Sequence, residues 1–184
     1  MTETEALRRV GMVRYDARWA KRVADERARI TAIAGSAILE LEHVGSTAVP
    51  GLWAKPIIDL MAAVATLDEG WVLVEKLADL GYHLIETGMT DRLFFRRHAE
   101  GGLAFQLHIV ERVTWEERHE RLMRDYLLAH PQAVSAYSEL KLRLAREHAA
   151  DSLGYTTAKT PFIQGALSKA RAELGLPSIA VWPE

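Results

Sequence analysis

His43, Gly45, Ser46 and Asp59 fall in one short stretch, HVGSTAVPGLWAKPIIDLM, from His43 to Met61. Glycine has no Cβ, so the backbone at Gly45 can approach a ligand closely. Successive backbone N–H groups after it can form a concave anion site. Asp59, on the apolar run that follows, can hold a divalent cation against phosphates drawn to that site. His43 can donate to a phosphate or orient Asp59, and Lys55 can meet a phosphate as a point charge. The set suits phosphate-plus-metal chemistry. The same residues also suit an ordinary strand–turn–strand connection with one incidental acid, a hydrogen-bonded histidine and a solvated lysine.

A second group lies further on. The run Leu103 to Val110 alternates, with Leu103, Phe105, Leu107 and Ile109 on one face and Ala104, Gln106, His108 and Val110 on the other. Gln106 and His108 therefore point together. Arg92, Arg96 and Arg97 lie on or beside the preceding strand, and alternation sends Arg96 and Arg97 to opposite faces.

The elements that must position these groups read as follows. Val10 to Tyr15 is a short strand or arm. Asp16 suits an N-cap for a helix from Ala17 to Ala34, with Trp19, Val23, Ile30 and Ile33 as a partial apolar stripe. Strands follow near Ile38 to Val44 and from Ile57 to Val64, the second opened by Pro56. Thr66 and Glu69 form a capping box for a helix ending at Gly81. Tyr82 to Glu86 and Leu93 to Arg97 are further strands, and Gly101-Gly102 is a hairpin turn. Thr114 and Glu117 form another capping box, for a helix to Ala129. Pro131 suits the first turn of a helix to Ala149, and a last helix runs from Ala158 to Leu174. The pattern predicts α+β architecture in one domain over 1–184, with a sheet-bearing part (about 10–112) and a helical part (about 114–175). The tail after Gly175 docks an edge or stays loose.

The chain has 184 residues, enough to bury a real core. A net charge of -2 argues against a broad nucleic-acid footprint. Cysteine is absent, which excludes disulfides, thiolate zinc sites and thiol nucleophiles. No secretory pattern opens the chain, and no apolar run reaches the roughly 18 residues of a membrane helix, so a cytoplasmic location is expected. Nothing in the pattern sets an oligomeric state.

The segment EHVGSTAVPGLWAKPIID, Glu42 to Asp59, resembles the GrpB family of bacterial proteins, within the nucleotidyltransferase superfamily. The resemblance continues through LGYHL (Leu80 to Leu84), DRLFF (Asp91 to Phe95), QLHIV (Gln106 to Val110), RDYLLAHP (Arg124 to Pro131), YSELK (Tyr137 to Lys141) and YTTAKTPFI (Tyr155 to Ile163). It implies a mixed sheet with flanking helices, on which a Gly-Ser turn holds the triphosphate of ATP or another nucleoside triphosphate. Two acids one residue apart on the next strand, and a third on a later strand, would bind two Mg²⁺ ions that activate the attacking hydroxyl. Gly45 and Ser46 match the turn, and Asp59 matches the first acid. The second acid's position is Met61, which cannot hold Mg²⁺.

Three arrangements are compatible with that departure. Glu42 can replace the missing acid, Asp59 can work with His108 and Gln106 around one metal, or the fold keeps a pocket without the chemistry. The family pattern has a second histidine where this chain has Gln106, so a His-x-His ligand pair is incomplete. By the same resemblance Arg92 is a phosphate ligand, and Arg124, Lys141 and Lys159 form a basic rim over the nucleotide. The implied activity is nucleotidyl transfer to an unidentified acceptor. The alternative is a catalytically inactive module for a phosphorylated metabolite or a partner, linked to coenzyme A metabolism through related domains fused to dephospho-coenzyme A kinase.

Overall fold

The computed structural model describes residues 11–180. The charged start Thr2 to Arg9, Val10 of the expected first strand, and residues 181–184 lie outside the described residues. The described chain falls into two compact units, one formed by Asp16–Ala48 and Ile57–Arg118, the other by residues 11–15, Val49–Pro56 and residues 119–180.

The first unit carries the sheet. Helix α1 (Arg18–Ala34) buries Trp19, Val23 and Ile30, as the apolar spacing predicts. Its cap position is Ala17 rather than Asp16, and the Asp16 carboxylate accepts the Arg18 backbone N–H at 2.9 Å. Strands β1 (Glu40–Val44) and β2 (Ile57–Val64) follow. The hydroxyl of Thr66 accepts the Glu69 N–H at 3.3 Å, so Thr66 caps the helix as one half of the expected box. The helix it opens breaks at Val72 into α2 (Leu67–Trp71) and α3 (Leu73–Asp79). Strands β3 (His83–Leu84), β4 (Leu93–His98) and β5 (Ala104–Glu111) complete the sheet.

The strand order is β1-β2-β5-β4-β3. The β2–β5 pair is parallel and the other pairs are antiparallel. The near-continuous apolar sequence of β2 suits a strand buried on both faces. One face presents Ile58, Leu60, Phe105, Leu107, Ile109 and Phe95, all buried. Helix α2 comes close enough there that a Cβ on Gly70 would stand 3.3 Å from both Ile109 and Leu93. Arg97 of β4 turns to that same face, where the buried Glu26 of α1 accepts from it at 3.1 and 2.6 Å. The opposite face holds Asp59, Gln106 and His108.

A capping box at Thr114 predicted a helix that the structure does not form. Residues Arg112–Glu117 make a 3-10 turn, and helix α4 begins only at His119 (His119–Ala129). Burial explains the difference: Trp115 is buried against Val44, Met61, Ala63 and Val110, and Arg118 after it is extended. Local capping chemistry lost to a large aromatic side chain with a place in the core.

The second unit is helical, with α4, α5 (Pro131–Glu147), α6 (Ser152–Thr157) and α7 (Thr160–Glu173). Among the described residues its core includes three clusters. Leu122 and Tyr126 pack with Ala166, Leu167 and Ala170, and Val49 and Leu52 pack with Leu127 and Tyr137. Met12 packs with Leu144, Ala145 and Tyr155. The expected first strand reduces to one bridge, Val13 to Ala54, with N–H···O distances of 2.8 and 3.1 Å. The tail docks on α7, where the Gln164 amide donates to the Ile179 carbonyl at 2.9 Å. Among the described residues no helix is long and apolar enough to cross a membrane.

Candidate functional site

β1 ends at Val44, which the antiparallel register sets opposite Asp59. The chain then turns through Gly45, whose φ is 72°, into a 3-10 turn at Ser46–Ala48. A Cβ on Gly45 would stand 3.0 Å from Asp59 Cβ and Cγ, and closer still to Oδ2. The Asp59 carboxylate therefore lies against the bend itself. Glycine is required there on two counts, left-handed backbone and close approach.

Thr47, which sequence reasoning did not single out, fixes this bend. It is buried, and its hydroxyl donates to the Ile57 carbonyl at 3.0 Å. Its one proton is thus used, so at 2.9 Å His43 Nε2 must donate to the Thr47 oxygen. His43 pairs with Leu60 in the register, which turns it to the face opposite Asp59. Through Thr47 it is tied to the turn.

The register lines up two rows across the Asp59 face. The first runs Val44, Asp59, Gln106, Arg96 and His83; the second runs Glu42, Met61, His108 and Phe94. With its amide oriented to satisfy both ends, Gln106 donates to Asp59 Oδ1 at 2.9 Å and accepts from Arg96 Nη2 at 3.1 Å. Gln106 and His108 share one face, as alternation predicts, and the pairing of β5 with β2 makes it the face of Asp59. Neither supplies an acid.

His108 Nδ1 lies 3.3 Å from Arg92 Nη1, and its ring is 4.8 Å from that of Phe94. A guanidinium only donates, so Nδ1 accepts and the ring proton sits on Nε2. In that state His108 presents a donor, not the lone pair that a metal ligand or a general base needs. Arg92 is held in turn by Asp91 at 3.2 Å, and Asp91 also bonds Arg118. Burial works to raise the Asp91 carboxyl, but hydrogen bonds and charge from Arg92 and Arg118 hold it at about 2.

Met61 is fully buried beneath Trp115, so the position of the second acid is a core position. Glu42 pairs directly with Met61 on the adjacent strand and shares the face of Asp59. An acid therefore stands beside the vacated position. Among the described residues no group of three or more His, Asp or Glu could hold a metal. That donor set does not fit two protein-caged metals. It fits one Mg²⁺, which takes one or two carboxylates and completes its shell with water and phosphate oxygens.

The other cations expected at the site belong to the helical unit and are placed within it. Lys55 and Lys159 both lie over the Tyr155 ring, at 5.1 and 4.6 Å, and burial lowers the Lys55 pKa. Burial also pushes the Tyr155 hydroxyl up to about 12. Lys141 is buried, donating to the Trp53 carbonyl at 3.0 Å and lying 4.4 Å from the Tyr137 ring. Arg124 meets Asp125 at 2.7 Å. The aromatic partners of the three lysines come from segments distant in sequence or from a different helical turn, and no local pattern marks them.

The GrpB protein family matches residues 9–169. The UPF0157 protein YqkA of Bacillus subtilis is 30% identical over 167 residues, covering 89% of this chain and 48% of its own length. The chain thus spans about half the length of that relative. The crystal structure of GrpB from Enterococcus faecalis is similar with a TM-score of 0.81 and 28% identity, over 89% of this chain and 99% of that one. Terminal uridylyl transferase 4 from Trypanosoma brucei, with bound dUTP, is similar in fold alone. Its TM-score is 0.53 at 12% identity, over 95% of this chain and 59% of that one.

Proposed function

The chain belongs to the GrpB family, with a nucleotidyltransferase-like fold, and we propose that its Asp59 face binds a nucleoside triphosphate for nucleotidyl transfer to an acceptor. One observation carries the reading. The Asp59 carboxylate lies against Gly45, so a cation on the acid and phosphates on the following N–H groups of Ser46 and Thr47 would be neighbours. Asp59 and Glu42 would hold one Mg²⁺, which would neutralise phosphate charge and polarise the α-phosphoryl group. Gln106 orients Asp59 by donating to Oδ1, and Thr47 keeps the bend closed against β2. Arg92 adds a positive charge on the same face, steadied by Asp91.

Titration calorimetry with ATP, GTP, CTP and UTP, with and without Mg²⁺, tests the proposal. Wild type is expected to bind at least one of them, and Asp59→Asn to lose the Mg²⁺-dependent part of the affinity, about tenfold or more. No binding of any of the four by wild type would refute it. Met61 and Gln106 favour a second reading, a module that binds a phosphorylated metabolite without turnover. Pyrophosphate release from the bound nucleotide in the presence of a cell metabolite extract separates the two.

A further inference from the structure

Arg96 and Arg97 are neighbours in β4 with opposite surroundings. Arg97 turns to the helix-covered face and makes a two-pronged ion pair with Glu26. Arg96 turns to the Asp59 face and remains half-buried. Its Nη2 donates to the Gln106 oxygen at 3.1 Å, and its guanidinium carbon lies 5.9 Å from the centre of the Phe94 ring. Among the described residues no carboxylate comes within ion-pair distance of it.

A guanidinium has five N–H donors, and a single neutral acceptor satisfies one. Partly burying such a charge is costly unless an anion completes it. Gln106 also aims it: the amide nitrogen is committed to Asp59 and the amide oxygen to Arg96. Acid and cation are thus fixed on one face, one amide apart. Arg96 sits two strands from Asp59, on the side away from β1 and the Gly45 bend. At ordinary strand spacing that is roughly 10 Å between backbones. A ligand reaching both the bend and Arg96 must pass over Asp59, where transfer would occur.

We propose that Arg96 binds an anionic group, a carboxylate or a phosphate, on the acceptor, so that the acceptor class is negatively charged small molecules. The inference rests on the nucleotide reading of the same face. A planar fork of donors suits either anion in a bidentate contact.

The test is calorimetry on the full chain with inorganic phosphate and with acetate as separate probes, each with and without saturating ATP and Mg²⁺. Wild type is expected to bind one of the probes beside ATP, and Arg96→Gln to weaken that binding about tenfold or more. ATP affinity is expected to fall by much less than probe affinity. Preference for phosphate identifies a phosphorylated acceptor; preference for acetate identifies a carboxylate. Arg96→Lys keeps the charge without the fork, should fall between the two, and carries the comparison if Arg96→Gln fails to fold. Probe binding that is absent in wild type, or equal in wild type and Arg96→Gln, overturns the proposal. So does a loss of ATP affinity in Arg96→Gln that matches the loss of probe. If wild type binds no ATP, the nucleotide reading falls alone, and the ATP-free titrations still decide whether Arg96 is an anion site.

Discussion

A methyl group on Gly45 would meet the Asp59 carboxylate and would also have to adopt a φ of 72°. Gly45→Ala is therefore expected to cost more than about 1 kcal/mol in urea unfolding. Adding Asp59→Gly to that variant should recover the steric part and leave the backbone part, a coupling that a double-mutant cycle reads directly. Additive effects would mean that the two residues do not touch. Met61 is the opposite kind of position. It is fully buried among Val44, Ala63, Val110 and Trp115, so Met61→Asp would bury a carboxyl in apolar surroundings. The expected loss is about 3 kcal/mol, by urea midpoint. An unchanged midpoint would show that the position opens to water or a cation, and the one-metal proposal would need a second acid after all.

Between elements, Asp91 joins the start of β4 to the 3-10 turn after β5, through Arg118. Its folded pKa, about 2, lies below the ordinary 3.8. A depressed carboxylate contributes stability that is fully present above the unfolded value and lost as pH falls through the folded one. The difference in urea midpoint between wild type and Asp91→Asn should thus be constant above about pH 5 and shrink toward pH 2. A difference that grows on acidification would reverse the assignment. Much of this architecture could be read beforehand. Alternation in β5 correctly put Gln106 and His108 on one face, because period-2 patterning is local. Pairing was not legible, since register joins residues distant in sequence. Only the antiparallel register of β1 on β2 turns His43 away from Asp59 and sets Glu42 beside Met61. Thr47 escaped notice because a threonine in a turn gives no sign that it will be buried. The capping box at Thr114 misled because a local motif cannot register the burial of Trp115.

Across the whole molecule, the two units do not follow the order of the chain. Residues 49–56 lie between two paired strands in sequence, yet Val49, Leu52 and Trp53 pack into the core of the helical unit. Met12 does the same from the other end of the chain. A fragment of residues 119–184 alone therefore lacks part of its own core and is expected to show no cooperative thermal unfolding by circular dichroism. A sharp transition in that fragment would show that the earlier segments are dispensable. This interleaving also bears on biosynthesis. Leu52 and Trp53 emerge from the ribosome long before Leu127, Tyr137 and Leu140 exist to cover them. At ordinary elongation rates that wait is on the order of ten seconds. The nascent chain must carry an uncovered apolar segment through it, so a chaperone that holds such segments is expected to raise the yield of soluble protein.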